Sequence, residues 1–463
     1  MDIKLTYDRG TIVLKSTTPI SVPYFFKFDD RIEAFRALAV YYPQILKYFL
    51  NRGYRVVDKV FDLVKGEIST LLELKLRNYQ REALDRWLKR GSRGIIVLPT
   101  GAGKTIVALA AINYYKSPTL IVVPTIDLMD QWEMKIREYF KTSIGRYGGG
   151  KRSLGFITIS TYDSAYINAE ILGNKFKLLI FDEVHHLPSS GYRQIAELNA
   201  APYRLGLTAT PEREDGLHED FPYLVGPIVY RRFVKELSGS YLADFDIVTI
   251  KIRLSKEERI KYRELVSSYR KCLSKYGIRL RTIKDFEKLI MKSSLNRELR
   301  EALLAWHEAR RIVFNAEGKI EALRELLRKH RGDKIIIFTE DNEMVRRISE
   351  EFLVPEITHK TSSEERKLVL RGFRRGDIRV IATSRVLEEG IDVPDANVAI
   401  VLSGTGSRRQ YIQRLGRILR PKRGKAILYE LVTSGTREIR VSQRRRRGLG
   451  ESNATNKSTN SEN

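Results

Sequence analysis

Short, wholly apolar runs recur along most of this chain, separated by longer stretches in which apolar residues return every third or fourth position. Between residues 73 and 230 the runs are "RGIIVLP", "TLIVVP", "FITIST" and "KLLIFDE". A strand that is apolar at every position has both faces covered, as in a parallel sheet packed between helices. The same alternation resumes in "DKIIIFTE", "IRVIATS", "NVAIVLS" and "KAILYELV". Residues 255–312 hold no buried run, and "SKEERIKYRELVSSYRKCLSKYG", "TIKDFEKLIMKSS" and "NRELREALLAWHEARRIV" predict consecutive helices. Residues 1–72 mix β-like runs ("GTIVLKS", "YRVVDKV") with the helical "RIEAFRALAVYYPQILKYFLNRG", which predicts a small α+β domain. The pattern therefore divides the chain into 1–72, a first α/β block at 73–230, a second at 231–435 that includes the helical insertion 255–312, and a basic, polar tail at 436–463 that is expected to be disordered. The end of that tail, "QRRRRGLGESNATNKSTNSEN", is of low complexity and predicts disorder.

Composition narrows the setting. A chain of 463 residues, 42% of them hydrophobic, has room for about three globular units. No apolar run approaches the roughly 20 residues of a membrane span, and the first residues lack the pattern of a secretory leader. The single cysteine, Cys272, excludes an internal disulfide and a Cys-rich zinc site, and fits a reducing cytoplasm. The net charge of +26 points to a polyanion, for which nucleic acid is the usual identity. A basic but merely solvated surface is the alternative. The excess is concentrated around the helical insertion, with 22 Lys/Arg against 11 Asp/Glu over residues 251–330. The arginine run of the tail reads first as a solvated segment.

Two segments carry candidate chemistry. "VLPTGAGKTIVALAAI" follows a buried strand and opens a helix. Thr100, Gly101, Ala102 and Gly103 would form a tight turn whose N–H groups wrap phosphate oxygens. Lys104 would reach the β- and γ-phosphates, and the Thr105 hydroxyl would ligate Mg2+. The strict phosphate-loop pattern requires glycine where this chain has Leu98, but the strand–loop–helix context is intact. In "KLLIFDEVHHLPSS", four apolar residues lead into Asp182 and Glu183. Asp182 is placed to hold magnesium and Glu183 to polarise the attacking water. The histidines do not have zinc-protease spacing; His185 reads as a coupling residue. "LGLTATP" ends a strand in Thr208 and Thr210, whose hydroxyls could bond His185 or the carboxylates. The second block has no phosphate loop, yet "RRQYIQRLGRILRP" places Arg417 and Arg420 on one helix face. They suggest arginine fingers reaching a γ-phosphate held by the first block, with ATP between the blocks.

Together "PTGAGKT", "DEVHH", "TATP", "SRVLEEGIDVPDA" and "QRLGRILR" occur in the order of the motifs of superfamily-two helicases. "LRNYQREAL" resembles the Q-type motif, and "PEREDG" resembles the Arg-Glu-Asp motif of the XPB helicase family. The resemblance spans about residues 73–435. It implies two RecA-like domains, a thumb-like helical insertion and an N-terminal damage-recognition domain, in the compact archaeal form of the family. It also implies ATP and Mg2+ as cofactors, with Arg77, Gln80, Gly390 and Asp392 at the nucleotide, Gln80 at the adenine and Gln413 beside the arginine fingers. DNA contacts are implied at Thr125, Thr161, Thr383 and the Arg213, Glu214 and Asp215 loop. The implied activity is ATP-driven, 3′-to-5′ opening of forked or damaged duplex in excision repair or transcription, with an endonuclease partner, in a nucleoid-associated cytoplasmic setting. A double-strand translocase that does not separate strands and a non-catalytic DNA-binding scaffold are the competing readings. RNA in place of DNA is not excluded by the motifs.

Overall fold

The computed structural model describes residues 2–16, 18–213, 215–237, 245–280, 283–384, 396–403 and 426–446. The chain divides into two units, the first reaching Leu237 and the second comprising most of the remainder.

In the first unit an eight-stranded sheet runs in the order Lys151–Arg152, Ile144–Gly148, Ile157–Thr161, Thr119–Val123, Leu178–Asp182, Tyr203–Thr208, Arg93–Val97, Ile228–Arg231. Every pair is parallel except the first, a short hairpin. The apolar runs are its central strands: all five residues of Thr119–Val123, Ile157–Thr161 and Leu178–Asp182 are buried. Helices Lys104–Tyr115 and Ile126–Tyr139 fill crossovers between its strands, and Asn78–Lys89 packs beside Lys104–Tyr115 against strand Arg93–Val97. Side chains such as Phe176, Leu179, Phe181, Val122 and Leu120 form one continuous core. In an open parallel sheet of this kind, ligands bind beyond the carboxyl ends of the strands.

The opposite edge holds a buried cation. Arg204 is fully buried, and its guanidinium donates to the carbonyls of Ala201 (3.1 Å), Leu224 (2.6 Å) and Asn199. One fork thus ties the 199–201 loop to the end of helix Phe221–Leu224. Arg204→Ala should cost about 3 kcal/mol or more of unfolding free energy, because it strands buried acceptors that each cost about 1–3 kcal/mol when unpaired. Denaturant unfolding measures this, and a loss below about 1 kcal/mol would contradict the assignment.

The N-terminal segment forms its own five-stranded sheet around a core of Ile3, Leu5, Ile12, Leu14, Ile45 and Phe49. It belongs to the first unit. The Tyr7 hydroxyl donates to the carbonyls of Glu170 (2.8 Å) and Leu198 (2.9 Å). A Cβ on Gly10 would lie 2.6 Å from the Leu198 side chain, so this close approach requires glycine. The last strand before residue 72, Ile68–Thr70, pairs with Phe140–Thr142 of the larger domain.

The second unit has a six-stranded, all-parallel sheet ordered Phe245–Ile252, Ala426–Thr433, Val398–Val401, Ile335–Phe338, Val380–Thr383, Glu356–Ile357. The helical insertion comprises Lys256–Lys275, Ile283–Leu295 and Arg297–Phe314. Ser255 caps the first by accepting from the Glu258 N–H (3.1 Å), while the Glu258 carboxylate accepts from the Ser255 N–H (2.8 Å). Tyr269 and Trp306 stack inside the insertion at 5.2 Å. One expectation is corrected here. The tail at 436–463 was expected to be disordered, yet Glu438–Arg446 is helical. Its composition is polar, but Glu438 is buried and accepts from the fully buried Lys319 ammonium through both oxygens at 3.0 Å. That long-range ion pair is invisible to a compositional reading. Residues 447–463 lie outside the described residues.

Candidate functional site

Six loops lie side by side along the carboxyl edge of the first sheet. In sheet order they follow Gly148, Thr161, Val123, Asp182 and Thr208, and the loop after Val97 completes the row. This order follows from the topology alone, and it fixes which chemistries can be neighbours.

At one end, the loop after Val97 turns through Gly101 (φ +82°) and Gly103 (φ +76°) into helix Lys104–Tyr115. Both glycines are in the left-handed region that side chains resist. The Lys104 ammonium lies 3.4 Å from the Leu98 carbonyl, curled over the loop. Thr105 is in the first turn of the same helix. Ala102 is fully buried, and the Thr100 hydroxyl is buried without a hydrogen-bond partner.

Gln80, the residue expected at the adenine, lies beside this turn. It is buried, its Nε2 donates to the Ala102 carbonyl (3.0 Å), and its Oε1 accepts from the Arg77 N–H (3.0 Å). The Tyr79 hydroxyl donates to the same Ala102 carbonyl (2.7 Å). Arg77 and Gln80 thus brace the glycine turn from behind, and a Cβ at Gly103 would sit 2.5 Å from Gln80 Nε2.

The central strand delivers Asp182 and Glu183. Asp182 Oδ2 accepts from Trp132 Nε1 (2.9 Å), and Oδ1 accepts from the Glu183 N–H (3.1 Å). Burial pushes the Asp182 carboxyl up to about 6, and the neighbouring Glu183 charge adds to this, against a smaller opposing pull from Lys104. A buried carboxylate in this position is fit for a cation, which would restore its charged form. Glu183 stands in the left-handed conformation (φ +48°, ψ +54°), which costs a side-chain-bearing residue about 1–2 kcal/mol. Its Oε2 lies 3.4 Å from both His185 Nδ1 and the donating Thr208 hydroxyl. His185 Nδ1 is in turn 3.0 Å from Thr208 Oγ1, and Thr208 donates to the Thr210 carbonyl at 3.1 Å. Acid, imidazole and threonine are therefore one contiguous chain.

Arg213 is turned inward. Its guanidinium pairs with Asp215 through two bonds and donates to the His185 carbonyl. The side chain expected at DNA is thus tied to the histidine loop. Thr383 is corrected as well: it is fully buried, and its hydroxyl donates to the Ile357 carbonyl (3.0 Å), which removes it as a side-chain contact. Thr125 and Thr161 sit at the expected edge, but their hydroxyls cap helices, accepting from the N–H groups of Leu128 (3.3 Å) and Ser164 (3.2 Å). Glu214, Gly390, Asp392, Gln413, Arg417 and Arg420 lie outside the described residues.

Sequence reasoning missed the triple glycine at 148–150. All three have positive φ (+149°, +61° and +81°). A Cβ on Gly148 would lie 3.2 Å from Thr161 Oγ1 and Ser164 Oγ, and one on Gly149 would lie 3.4 Å from Ile126. The loop therefore rests on the first turns of both capped helices, and the exposed Lys151 and Arg152 follow it. Three consecutive glycines in "RYGGGKR" were the available signal.

Three family models match parts of this chain. Residues 5–60 match the family model for the xeroderma pigmentosum group B helicase damage recognition domain. Residues 73–213 match that of the type III restriction enzyme res subunit, and residues 296–455 the ERCC3/RAD25/XPB C-terminal helicase. The chain is 50% identical to the DNA 3′-5′ translocase XPB2 of Sulfurisphaera tokodaii, over 96% of this chain and 100% of that one. It is 31% identical to the DNA 3′-5′ helicase XPB of Mycobacterium tuberculosis, over 81% of this chain and 64% of the longer relative. Among solved structures, the Pyrococcus furiosus Hef helicase domain superposes with a TM-score of 0.52 at 20% identity, covering 80% of this chain and 97% of that one. This last likeness is one of fold and agrees with a pair of RecA-like parallel-sheet domains.

Proposed function

Because this chain belongs to the XPB helicase family, we propose that it is an ATP-dependent DNA motor, a 3′-to-5′ helicase or translocase. The observation that carries the reading is the row of loops along one sheet edge. A phosphate-binding turn lies at one end, the glycine and threonine loops lie at the other, and Asp182 and Glu183 stand between them.

ATP would lie with its phosphates in the turn from Thr100 to Gly103, whose backbone N–H groups and Lys104 face the developing negative charge. Thr105 and Asp182 would hold Mg2+, which when bound supplies neutralising charge to the phosphate oxygens. Glu183 accepts the proton of the attacking water from its left-handed turn beside Thr208 and His185. The Thr208 and His185 side chains fix its orientation. Arg417, Arg420 and Gln413 are assigned to the transition-state charge, and Gly390 and Asp392 to the nucleotide. DNA phosphates would lie against the backbone of residues 148–150 and the turns capped by Thr125 and Thr161, a contact without base readout. The basic insertion would add a salt-dependent term.

Within the family reading, the substrate is forked or damaged duplex opened in excision repair or transcription, an endonuclease is the partner, and the setting is the nucleoid of an archaeal cytoplasm. No helix among the described residues is long and apolar enough to cross a membrane. Two assays run on one preparation divide the motor's possible outputs. Displacement of a strand from a 3′-tailed fork is expected with a helicase, whereas displacement of a triplex third strand with the duplex left intact identifies a translocase. ATP-independent binding with neither output would contradict the motor reading and favour a scaffold.

A further inference from the structure

The two helices that follow the proposed DNA loops each send one aromatic side chain to the same place. Helix Ile126–Tyr139 is capped by Thr125 and carries Trp132, whose Nε1 donates to Asp182 Oδ2 at 2.9 Å. Helix Tyr162–Ile167 is capped by Thr161 and begins with Tyr162. The Tyr162 hydroxyl donates to the Asp182 carbonyl at 3.0 Å and lies 3.4 Å from the Glu183 carbonyl. Both aromatics are 2% exposed, so neither contact competes with water. The strands leading to Thr125 and Thr161 are neighbours, and the first of them also neighbours the strand ending in Asp182.

We infer that Trp132 and Tyr162 are positioning residues that transmit DNA engagement to the hydrolytic carboxylates. The reasoning is geometric. Asp182 has three polar anchors from the protein: the indole on one carboxylate oxygen, the Glu183 N–H on the other, and the phenol on its carbonyl. Two of the three come from elements whose first turns form the DNA face. Glu183 sits in a strained backbone conformation, so it keeps its aim only while its peptide flanks are held. A small rotation of either capped helix on DNA would move an anchor of Asp182, and with it the turn that carries Glu183. The Gly148 loop rests on Thr161 and Ser164, so it reports to the same helix. Neither aromatic touches the bound nucleotide in this scheme; each acts through Asp182. The linkage rests on the reading of residues 148–150, Thr125 and Thr161 as the DNA side.

Tyr162→Phe tests it with the loss of one oxygen. The ring keeps its packing beside Phe181, His186 and Tyr192. The measured quantity is the ratio of ATP hydrolysis with saturating forked DNA to hydrolysis without DNA. That ratio is expected to fall about fivefold, the factor equivalent to one net hydrogen bond. Fork affinity is measured on the same preparation and should stay close to wild type, while the thermal midpoint should fall by only about 2–4 °C for the one buried hydrogen bond lost. Trp132→Phe, which removes the other donor, should lower the ratio in the same direction. An unchanged ratio in Tyr162→Phe overturns the linkage. So does a loss of fork affinity that accounts for the loss of stimulation, since the aromatics would then belong to the DNA grip. A wild-type rate that forked DNA does not raise overturns the DNA reading itself, and the linkage with it, before any variant is compared.

Discussion

Glu183→Gln is expected to lower DNA-stimulated ATP hydrolysis by about 10²- to 10⁴-fold, the range that a positioned general base supplies. The substitution preserves volume and the hydrogen-bonding acceptor beside Thr208 and His185, but an amide cannot take up the proton of the attacking water. ATP binding should persist, because the phosphate-binding turn and Lys104 belong to a different strand and helix. Nucleotide affinity measured beside the steady-state rate separates the two effects. Hydrolysis within about tenfold of wild type would assign the base elsewhere.

The second large effect is expected from Lys104→Ala. The ammonium curls back over the loop toward the Leu98 carbonyl, where it would meet phosphate oxygens. Its loss removes the one cationic side chain of the turn and the main opposing charge to Asp182. Catalytic efficiency should fall by about 10²- to 10³-fold, as when one donor to a developing charge is removed. Unlike Glu183→Gln, this variant should also bind ATP more weakly. An unaltered nucleotide affinity would mean that the lysine only braces the loop.

The glycine turn after Val97 and the Asp-Glu pair at the end of Leu178–Asp182 were legible as candidates because the chemistry proposed for them needs particular residues at consecutive positions, each at the end of a buried strand. Parallel sheets were legible for a related reason: strands covered on both faces are apolar throughout. What escaped the sequence was assembled from distant segments. Nothing in the linear pattern singles out Trp132 or Tyr162; only the sheet order brings both to Asp182. Thr125 and Thr161 occupy the expected edge, but a linear pattern does not distinguish a hydroxyl that touches phosphate from one that caps a helix. The sequence suggests ligand contacts for Gln80 and Arg213, at nucleotide and DNA respectively, but gives no sign of the bonds each makes within the protein. Thr383 was misread for the same reason: a strand end can be as buried as a strand centre. The helix Glu438–Arg446 depends on Lys319, more than a hundred residues earlier, a partnership that local composition cannot encode.

The central claim is that one sheet edge joins a nucleotide engine to a DNA track. The most direct measurement is the rate of ATP hydrolysis by the full chain with Mg2+, in the absence and presence of forked duplex, repeated across a range of salt concentrations. The account predicts a slow basal rate, a clear rise on adding DNA, and a stimulation that weakens as salt displaces the phosphate contacts. A rate that DNA leaves unchanged at every salt concentration would contradict it.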